Sequence, residues 1–301
     1  MISRYKYFDS QLLIRVITML SKKDDPLWNV FPPGHYYSPI PDIDKIKKNE
    51  KNIFEQKNDI PGIDLNINGQ LALLQHLKEY YPELPFQEEK NDKLRYYFNN
   101  DFFSFGDGII LYSMIRHLKP KRIIEVGSGF SSCIFLDINE IFFNNLISCS
   151  FIEPYPDRLL SLVKNDDLKN IDLKNKKLED IEKSFFQNLT AGDILFIDSS
   201  HVSKINSDVN YLFFEILPLL QSGVYVHFHD IFFPFEYPKE WIYEGRFWNE
   251  AYLLRAFLEF NNAFRIVFFN SYMQQTNKDE LWKDMPLFSR NPGGSLWMTR
   301  I

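Results

Sequence analysis

Cysteine is nearly absent from this chain: its 301 residues contain two, Cys133 and Cys149. Both fall inside predicted core elements, and their spacing offers neither a zinc ligand set nor a disulfide framework, which fits a reducing compartment. Excess positive charge is also missing. Lys and Arg total 34 against 40 Asp and Glu, a net charge of −6, so a surface that tracks nucleic-acid phosphates is not expected. Lysines gather at Lys45–Lys51 and Lys174–Lys177, but acidic residues lie among and beside them, as on a solvated face. A long hydrophobic run is lacking as well. Leu12–Leu20 is interrupted by Arg15 and is shorter than the ~20 residues that a membrane-spanning helix needs. It reads as an amphipathic helix near Ser10–Ser21. No signal peptide, transmembrane segment, internal repeat or low-complexity tract is evident, and the expectation is a cytoplasmic protein with no nucleic-acid partner.

What remains is a globular composition, 45% hydrophobic and 25% charged. Its most informative stretch is Lys121–Ser132, KRIIEVGSGFSS. Arg122–Val126 is a short β-rich run with Glu125 near its end. Gly127-Ser128-Gly129 then allows a sharp turn and close backbone approach to a ligand. A helix opens at Ser131 and Ser132, and its first amides face that ligand. A dinucleotide fingerprint would need glycine at 132, where Ser132 stands. Three further runs end in polar residues: Leu146–Ile152 before Glu153, Gly192–Ile197 before Asp198, and Gly223–Phe228 before His229 and Asp230. Strands whose carboxyl ends carry polar groups describe an open α/β sheet that binds ligands along one edge.

The chain is expected to divide into residues 1–100, a helical and proline-rich cap region, and residues 101–301, an α/β domain. In the first part, Pro26–Pro41 is proline-rich, Asp42–Asn58 is polar and helical, and Leu71–Tyr80 carries leucines at helical spacing. Asp107 is the expected N-cap of a helix that Pro120 stops. The predicted order is then strand Arg122–Val126, helix Ser131–Asn139, strand Leu146–Glu153, helix Asp157–Val163, a short strand near Leu173, and helix Asp180–Asn188. Strand Ile194–Asp198, helix Ile205–Leu220, strand Val224–Phe228 and a helix around Asn249–Phe260 follow. Phe264–Phe269 and Ser295–Arg300 are expected to pair antiparallel and close the sheet. Strand–helix alternation implies a mostly parallel sheet with right-handed crossovers.

With acid-x-G-x-G at Glu125–Gly129 and an antiparallel closing pair, the sequence resembles the class I S-adenosylmethionine-dependent methyltransferases. The fold implied is a Rossmann-like methyltransferase sheet, mostly parallel with an antiparallel closing strand, with helices on both faces. More narrowly, FPPGHYYSPIP, IPGIDLN (Ile60–Asn66), RYYFNNDFFSFGD (Arg95–Asp107) and HFHDIFFPFEYPKEW (His227–Trp241) resemble a bacterial group with a long N-terminal region, associated with polysaccharide and specialised-metabolite biosynthesis. The resemblance implies that Gly127, Ser128 and Gly129 pack on the methionine end of the cofactor. Glu125 would hold its amino group, Glu153 its ribose hydroxyls, and Leu178 and Glu179 would flank its adenine. Asp198 would contact the methionine moiety or a divalent metal, and Asp230 matches a second metal-ligand position. Ile231 stands where such enzymes usually place a third oxygen donor, so a standard magnesium site is doubtful; His201 or His229 could substitute, and imidazole suits a transition metal better.

Methyl transfer needs an acceptor in line with the sulfonium and, for a hydroxyl, a base to take its proton. His229 is the first choice for that base and His201 the second, with Asp198 and Asp230 beside them. The acceptor is expected to be a small molecule or a carbohydrate. The aromatic insert Ile231–Phe247 and the loop Phe31–Pro41 are expected to wall it. A nicotinamide-dependent oxidoreductase would use the same turn and Glu153, but is disfavoured by Ser132 and the closing pair. A non-catalytic cofactor-binding scaffold would be expected to lose polar groups at the strand ends, which are dense here.

Overall fold

The computed structural model describes residues 31–301 except Asn170. The helix expected at Ser10–Ser21 and the start of the proline-rich segment lie outside the described residues. Two compact units are present. Of the described residues, the smaller takes those up to Glu55 together with Lys239–Phe247, and the larger takes Gln56–Pro238 with Trp248–Ile301.

In the smaller unit, Asp42 caps helix α1 (Ile43–Lys48) by accepting from the Asp44 and Lys45 amides. The single polar helix expected over Asp42–Asn58 is instead two, because Asn49 leaves helical geometry between α1 and α2 (Glu50–Ile53). Glu50 receives Lys239 Nζ at 2.5 Å and the Tyr243 hydroxyl at 3.2 Å, which ties α2 to a short helix at Lys239–Tyr243. Trp241 belongs to that helix, with the Arg246 guanidinium 4.8 Å over its ring. In FPPGHYYSPIP, Gly34 lies at φ +83° and its amide donates to the Ile40 carbonyl at 2.9 Å.

The larger unit opens with α3 (Ile67–Leu77), whose buried Gln70 donates to the Leu65 carbonyl and accepts the Phe269 amide. Helix α4 (Phe105–Leu118) starts two residues before the expected cap: Ser104 is extended at its N-terminus and Asp107 sits inside the first turn, buried. The sheet follows from strand–helix alternation. Its strands are β1 (Arg122–Val126), β2 (Ser148–Ile152), β3 (Asp172–Lys174), β4 (Ile194–Ile197) and β5 (Tyr225–Phe228), all parallel. Between β1 and β2 runs α5 (Phe130–Phe143), and α6 (Asp157–Leu162) follows β2. Strand β7 (Leu296–Arg300) pairs antiparallel with both β5 and β6 (Phe264–Phe269). The order is β3-β2-β1-β4-β5-β7-β6, so the mostly parallel sheet with an antiparallel closing pair is as expected. Strands β1, β2, β4 and β5 are almost wholly buried, as apolar runs covered on both faces should be.

Two helices differ from expectation. Residues 205–220 do not form one α-helix: Asn206 is left-handed at φ 54°, Ser207 caps a start at Asp208, and the coil widens to π over Leu212–Ile216 before a 3-10 turn at Leu217–Leu219. Pro218 supplies no amide to an α ladder, which accounts for the change near the end. The apolar stripe Val209, Leu212, Phe213, Ile216, Leu217 and Leu220 is nevertheless buried throughout. The helix expected over Asp180–Asn188 is likewise replaced by a 3-10 turn at Lys183–Asn188, preceded by another at Leu178–Asp180. Two short helices, Asn270–Thr276 and Lys278–Asp284, intervene between the closing strands where the sequence reading placed none.

The sheet's geometry makes one glycine indispensable. Gly127 adopts φ +81°, and a Cβ built on it would lie 1.8 Å from the Asp198 carbonyl oxygen. Here β1 and β4 end side by side: the Asp198 amide donates to Val126 and the Gly127 amide to Ile152. Gly127→Ala is expected to destabilise the fold by about 3 kcal/mol or more, because left-handed strain and a backbone clash add. Urea unfolding that shows a loss below about 1 kcal/mol would contradict this close approach.

Candidate active site

The carboxyl ends of β1, β2, β4 and β5 bring the sequence-predicted residues to one edge. Asp198 follows β4, and His229 and Asp230 follow β5, whose end is stitched to β4 by the His229 amide donating to Ile197. His201 arrives from the loop after β4. Its Nε2 lies 3.4 Å from Asp198 Oδ1 and 3.5 Å from Asp230 Oδ2, while its Nδ1 meets Glu250 Oε2 at 2.8 Å. His229 Nε2 faces the other Asp230 oxygen, Oδ1, at 3.4 Å. The backbone is strained where it turns to make this cluster, since His201 and Asp230 are both left-handed, at φ 60° and 57°.

Burial and mutual charge set the protonation of these groups. Burial would raise the Asp198 carboxyl, but His229 and His201 outweigh it and hold it down at about 2. Burial would lower His201, yet its bonds to Asp198 and Glu250 push it well above the usual histidine value. His229 is also raised: desolvation opposes its charge, and Asp230, Asp198 and Asp107 overcome that penalty. Glu250, by contrast, is raised by burial despite His201.

Asp198, His201 and Asp230 present ligand atoms that all lie within 4.8 Å of one another. Two carboxylates and one imidazole form a donor set suited to a divalent transition metal rather than to magnesium alone. Glu250 on His201 Nδ1 is the arrangement that orients a metal-binding imidazole. His229 stands beside this trio with Nδ1 buried and without a hydrogen-bond partner.

The expected cofactor residues occupy the neighbouring part of the edge. Glu153 lies at the tip of β2 and accepts from the Ser128 amide at 3.1 Å and the Tyr155 amide at 2.7 Å. Gly129 is extended and donates its amide to Ser132 Oγ. Glu125 is fully buried, and its two oxygens accept from the Ser131 and Ser132 hydroxyls; burial pushes its pKa well up. It therefore braces the first turn of α5 directly. Leu178 is buried and Glu179 half-buried in the 3-10 turn after β3.

Several residues of the site were not foreseen. Glu250 opens a helix in the closing third of the chain, and His201's own carbonyl accepts the Asn249 and Glu250 amides. Trp248 packs against the His201 ring, tilted by 34° with ring centroids 4.4 Å apart; its place at the end of the aromatic segment was the available signal. Beneath His229, Asp107 accepts from Ser295 Oγ at 2.5 Å, the Gly294 amide and Asn270 Nδ2. Ser295 Oγ also lies 2.9 Å from His227 Nε2. Of the aromatic insert, Phe235 and Tyr237 are core side chains: Phe235 packs on Phe269, and the Tyr237 hydroxyl accepts the Ala251 amide.

With this geometry in place, the comparison with known families is decisive. Residues 124–231, from β1 to the residue after Asp230, match a family described as a methyltransferase domain. The chain carries a methyltransferase domain. It belongs to the same family as an uncharacterized protein of Archaeoglobus fulgidus, 40% identical over 175 residues that cover 55% of this chain and 76% of that one. The domain match, with the sheet order of the larger unit, makes it a methyltransferase. Solved structures with a more distant likeness include the Podospora anserina methyltransferase PaMTH1 bound to S-adenosylhomocysteine. It is 13% identical, covers 86% of this chain and 96% of its own, and has a TM-score of 0.41. A magnesium and S-adenosylmethionine complex of CmcI is 18% identical, covers 63% and 68%, and has a TM-score of 0.36. Among the described residues, no helix of the methyltransferase is long and apolar enough to cross a membrane.

Asp107 gives the site a measurable pH signature. Burial raises its carboxyl from 3.8 to about 6 against the charge of His229 and the Ser295 bond. A raised carboxyl favours the neutral form in the fold, so its contribution is complete below about pH 4 and is lost as pH rises through about 6. The stability difference between the enzyme and Asp107→Asn is expected to change by on the order of 2–3 kcal/mol from pH 4 to pH 7, to the disadvantage of the aspartate. A flat difference in urea unfolding across that range would show that the fold does not hold this proton.

Proposed function

We propose that the methyltransferase transfers a methyl group from S-adenosylmethionine to a hydroxyl of a small-molecule or carbohydrate acceptor, with His229 as general base. The observation that carries this reading is the convergence of Asp198, His201, His229 and Asp230 at the ends of β4 and β5, next to the Gly127 turn. In that reaction the acceptor oxygen forms a bond to the methyl carbon, the carbon–sulfur bond breaks with its electrons passing to sulfur, and the acceptor proton goes to His229. The carboxylates that raise His229 make it a stronger base than free imidazole. A sulfonium sharing their field would favour its neutral, proton-accepting form.

On this reading Gly127, Ser128 and Gly129 support the methionine end, Glu153 receives the ribose hydroxyls, and Leu178 with Glu179 borders the adenine. Trp248, packed against His201, supplies an aromatic wall beside the catalytic cluster. Asp198, His201 and Asp230 would hold a divalent metal, whose role would be to orient the acceptor oxygen and lower its pKa. Metal binding would have to displace the proton that His201 favours, so it would release protons.

Two measurements separate the roles. His229→Ala is expected to lower kcat by roughly 10²–10⁴-fold, the usual range for a positioned base, with the cofactor Kd nearly unchanged. Full activity in that variant would remove His229 from the chemistry. Exhaustive chelation is expected to abolish turnover, and Asp198→Asn to weaken manganese binding while the unfolding transition persists. Turnover that survives chelation would restrict Asp198 and Asp230 to positioning cofactor and acceptor.

A further inference from the structure

Arg158, in the first turn of α6, forms no ion pair among the described residues, unlike Arg95, Arg116 and Arg122, which all meet carboxylates. Its guanidinium instead lies 3.8 Å over the ring of Phe102. Phe102 is 54% exposed, which is unusual for a ring held so firmly. Its ring also stacks on Phe130, the first residue of α5, with ring centroids 6.0 Å apart and planes only 15° from parallel. Tyr97 meets the same Phe130 ring edge-on.

The loop that presents Phe102 is locked by one side chain. Asn100 Oδ1 accepts the amides of Phe102 and Phe103, and its Nδ2 donates to the carbonyls of Tyr97 and Phe103. The Tyr96 hydroxyl donates to the same Phe103 carbonyl. Four bonds from one asparagine hold the loop in a single conformation, so the platform under Arg158 is preformed.

The platform places the cation beside the glycine turn. A Cβ at Gly129 would come 3.3 Å from Arg158 Cδ, so the absence of a side chain there leaves room for the arginine's stem. Two more donors gather at this point. The Ser128 hydroxyl is buried, the residue being 9% exposed, and has no hydrogen-bond partner. The first amides of the 14-residue α5 lack intrahelical acceptors and carry the positive end of its dipole. An unpaired guanidinium, an orphaned hydroxyl and a helix start fit a carboxylate.

We propose that Arg158, stacked on Phe102 and set over Gly129, clamps the α-carboxylate of the amino-acid end of S-adenosylmethionine. This rests on the cofactor assignment above, and it gives Arg158 and Phe102 a role that the strand-end residues do not share. Guanidinium offers a planar fork to a carboxylate, and stacking pre-orients that fork so that less freedom is lost on binding. Lysine would keep the charge without the stack or the fork.

Calorimetry with two ligands tests the clamp: S-adenosylmethionine, and its decarboxylated form, which keeps the sulfonium and the amine. The enzyme is expected to bind the first more tightly. Arg158→Ala is expected to lose roughly 10–100-fold in affinity for S-adenosylmethionine, the range for charge-assisted hydrogen bonds, and to leave the decarboxylated form within about threefold. Arg158→Lys and Phe102→Ala should fall between, in the same direction. Equal losses for both ligands, or no loss for S-adenosylmethionine in a variant with native circular dichroism, would overturn the clamp. An enzyme that discriminates between the two ligands only through residues other than Arg158 would overturn it too. If the unaltered enzyme binds neither ligand, the cofactor assignment fails and takes the clamp with it.

Discussion

Ionisable groups crowded into a largely buried corner have to neutralise one another, and the arrangement at the ends of β4 and β5 follows from that constraint. A charge without a partner in such a place costs several kcal/mol. Asp198 stays ionised because His201 and His229 face it. His201 stays protonated because Asp198, Asp230 and Glu250 surround it. Removing one member leaves the charges of its partners less fully compensated. The left-handed backbone at His201 and Asp230 is a second cost of the same arrangement, and it persists because the surrounding sheet over-determines both turns.

The sheet achieves this through close approach rather than through long side chains. Gly127 lets the end of β1 lie against the Asp198 carbonyl, so the cofactor-binding turn and the acidic cluster share one edge. On the other side, Asp107 in α4 gathers Ser295, Gly294 and Asn270. That bond set joins the closing strands to the helix that precedes the sheet. A Cβ on Gly293 would fall 2.2 Å from the Asp107 carboxylate, so the PGGS stretch is glycine-rich for a steric reason. The closing strand pair thus helps to enclose His227 and His229 as well as completing the sheet.

These features differ in how far the sequence announces them. The strand ends were legible because each central strand is a short apolar run that stops at a polar residue: Glu153, Asp198, or His229 with Asp230. Parallel topology then carries those residues to one edge without further information. Glu250 and Trp248 were not legible as site residues, since they reach His201 across 49 and 47 positions and no local periodicity marks them. Asp107 was misread as a cap for a similar reason. Its residue type suits an N-terminus, but its partners lie more than 160 residues away. The helix expected over Ile205–Leu220 shows the limit of pattern reading in another way. Its apolar stripe is buried as expected, while Ser207 and Pro218 decide a coil geometry that hydrophobic spacing does not record. Glu125 was placed correctly in β1, and Ser131 and Ser132, which are also prominent in the sequence, turned out to be its partners.

Charge movement gives the acidic cluster its chemical sense in the proposed reaction. Methyl transfer from a sulfonium to a neutral hydroxyl destroys the positive charge on sulfur and releases a proton. A site of carboxylates alone would stabilise the sulfonium before reaction more than after it, and uniform or ground-state stabilisation does not accelerate a step. His229 changes that balance. As the proton passes to its imidazole, the positive charge moves from sulfur to a ring that Asp230, Asp198 and Asp107 already favour in its protonated form. The carboxylates then hold a cation at both ends of the step, and the field is set before the reaction begins, so little reorganisation is needed. A divalent cation held by Asp198, His201 and Asp230 would temper the same field, since its charge would offset part of the negative potential of the two carboxylates. A pair of histidines, one fixed by Glu250 and one with a free ring nitrogen, is therefore what an acidic site of this kind requires to use a cationic methyl donor.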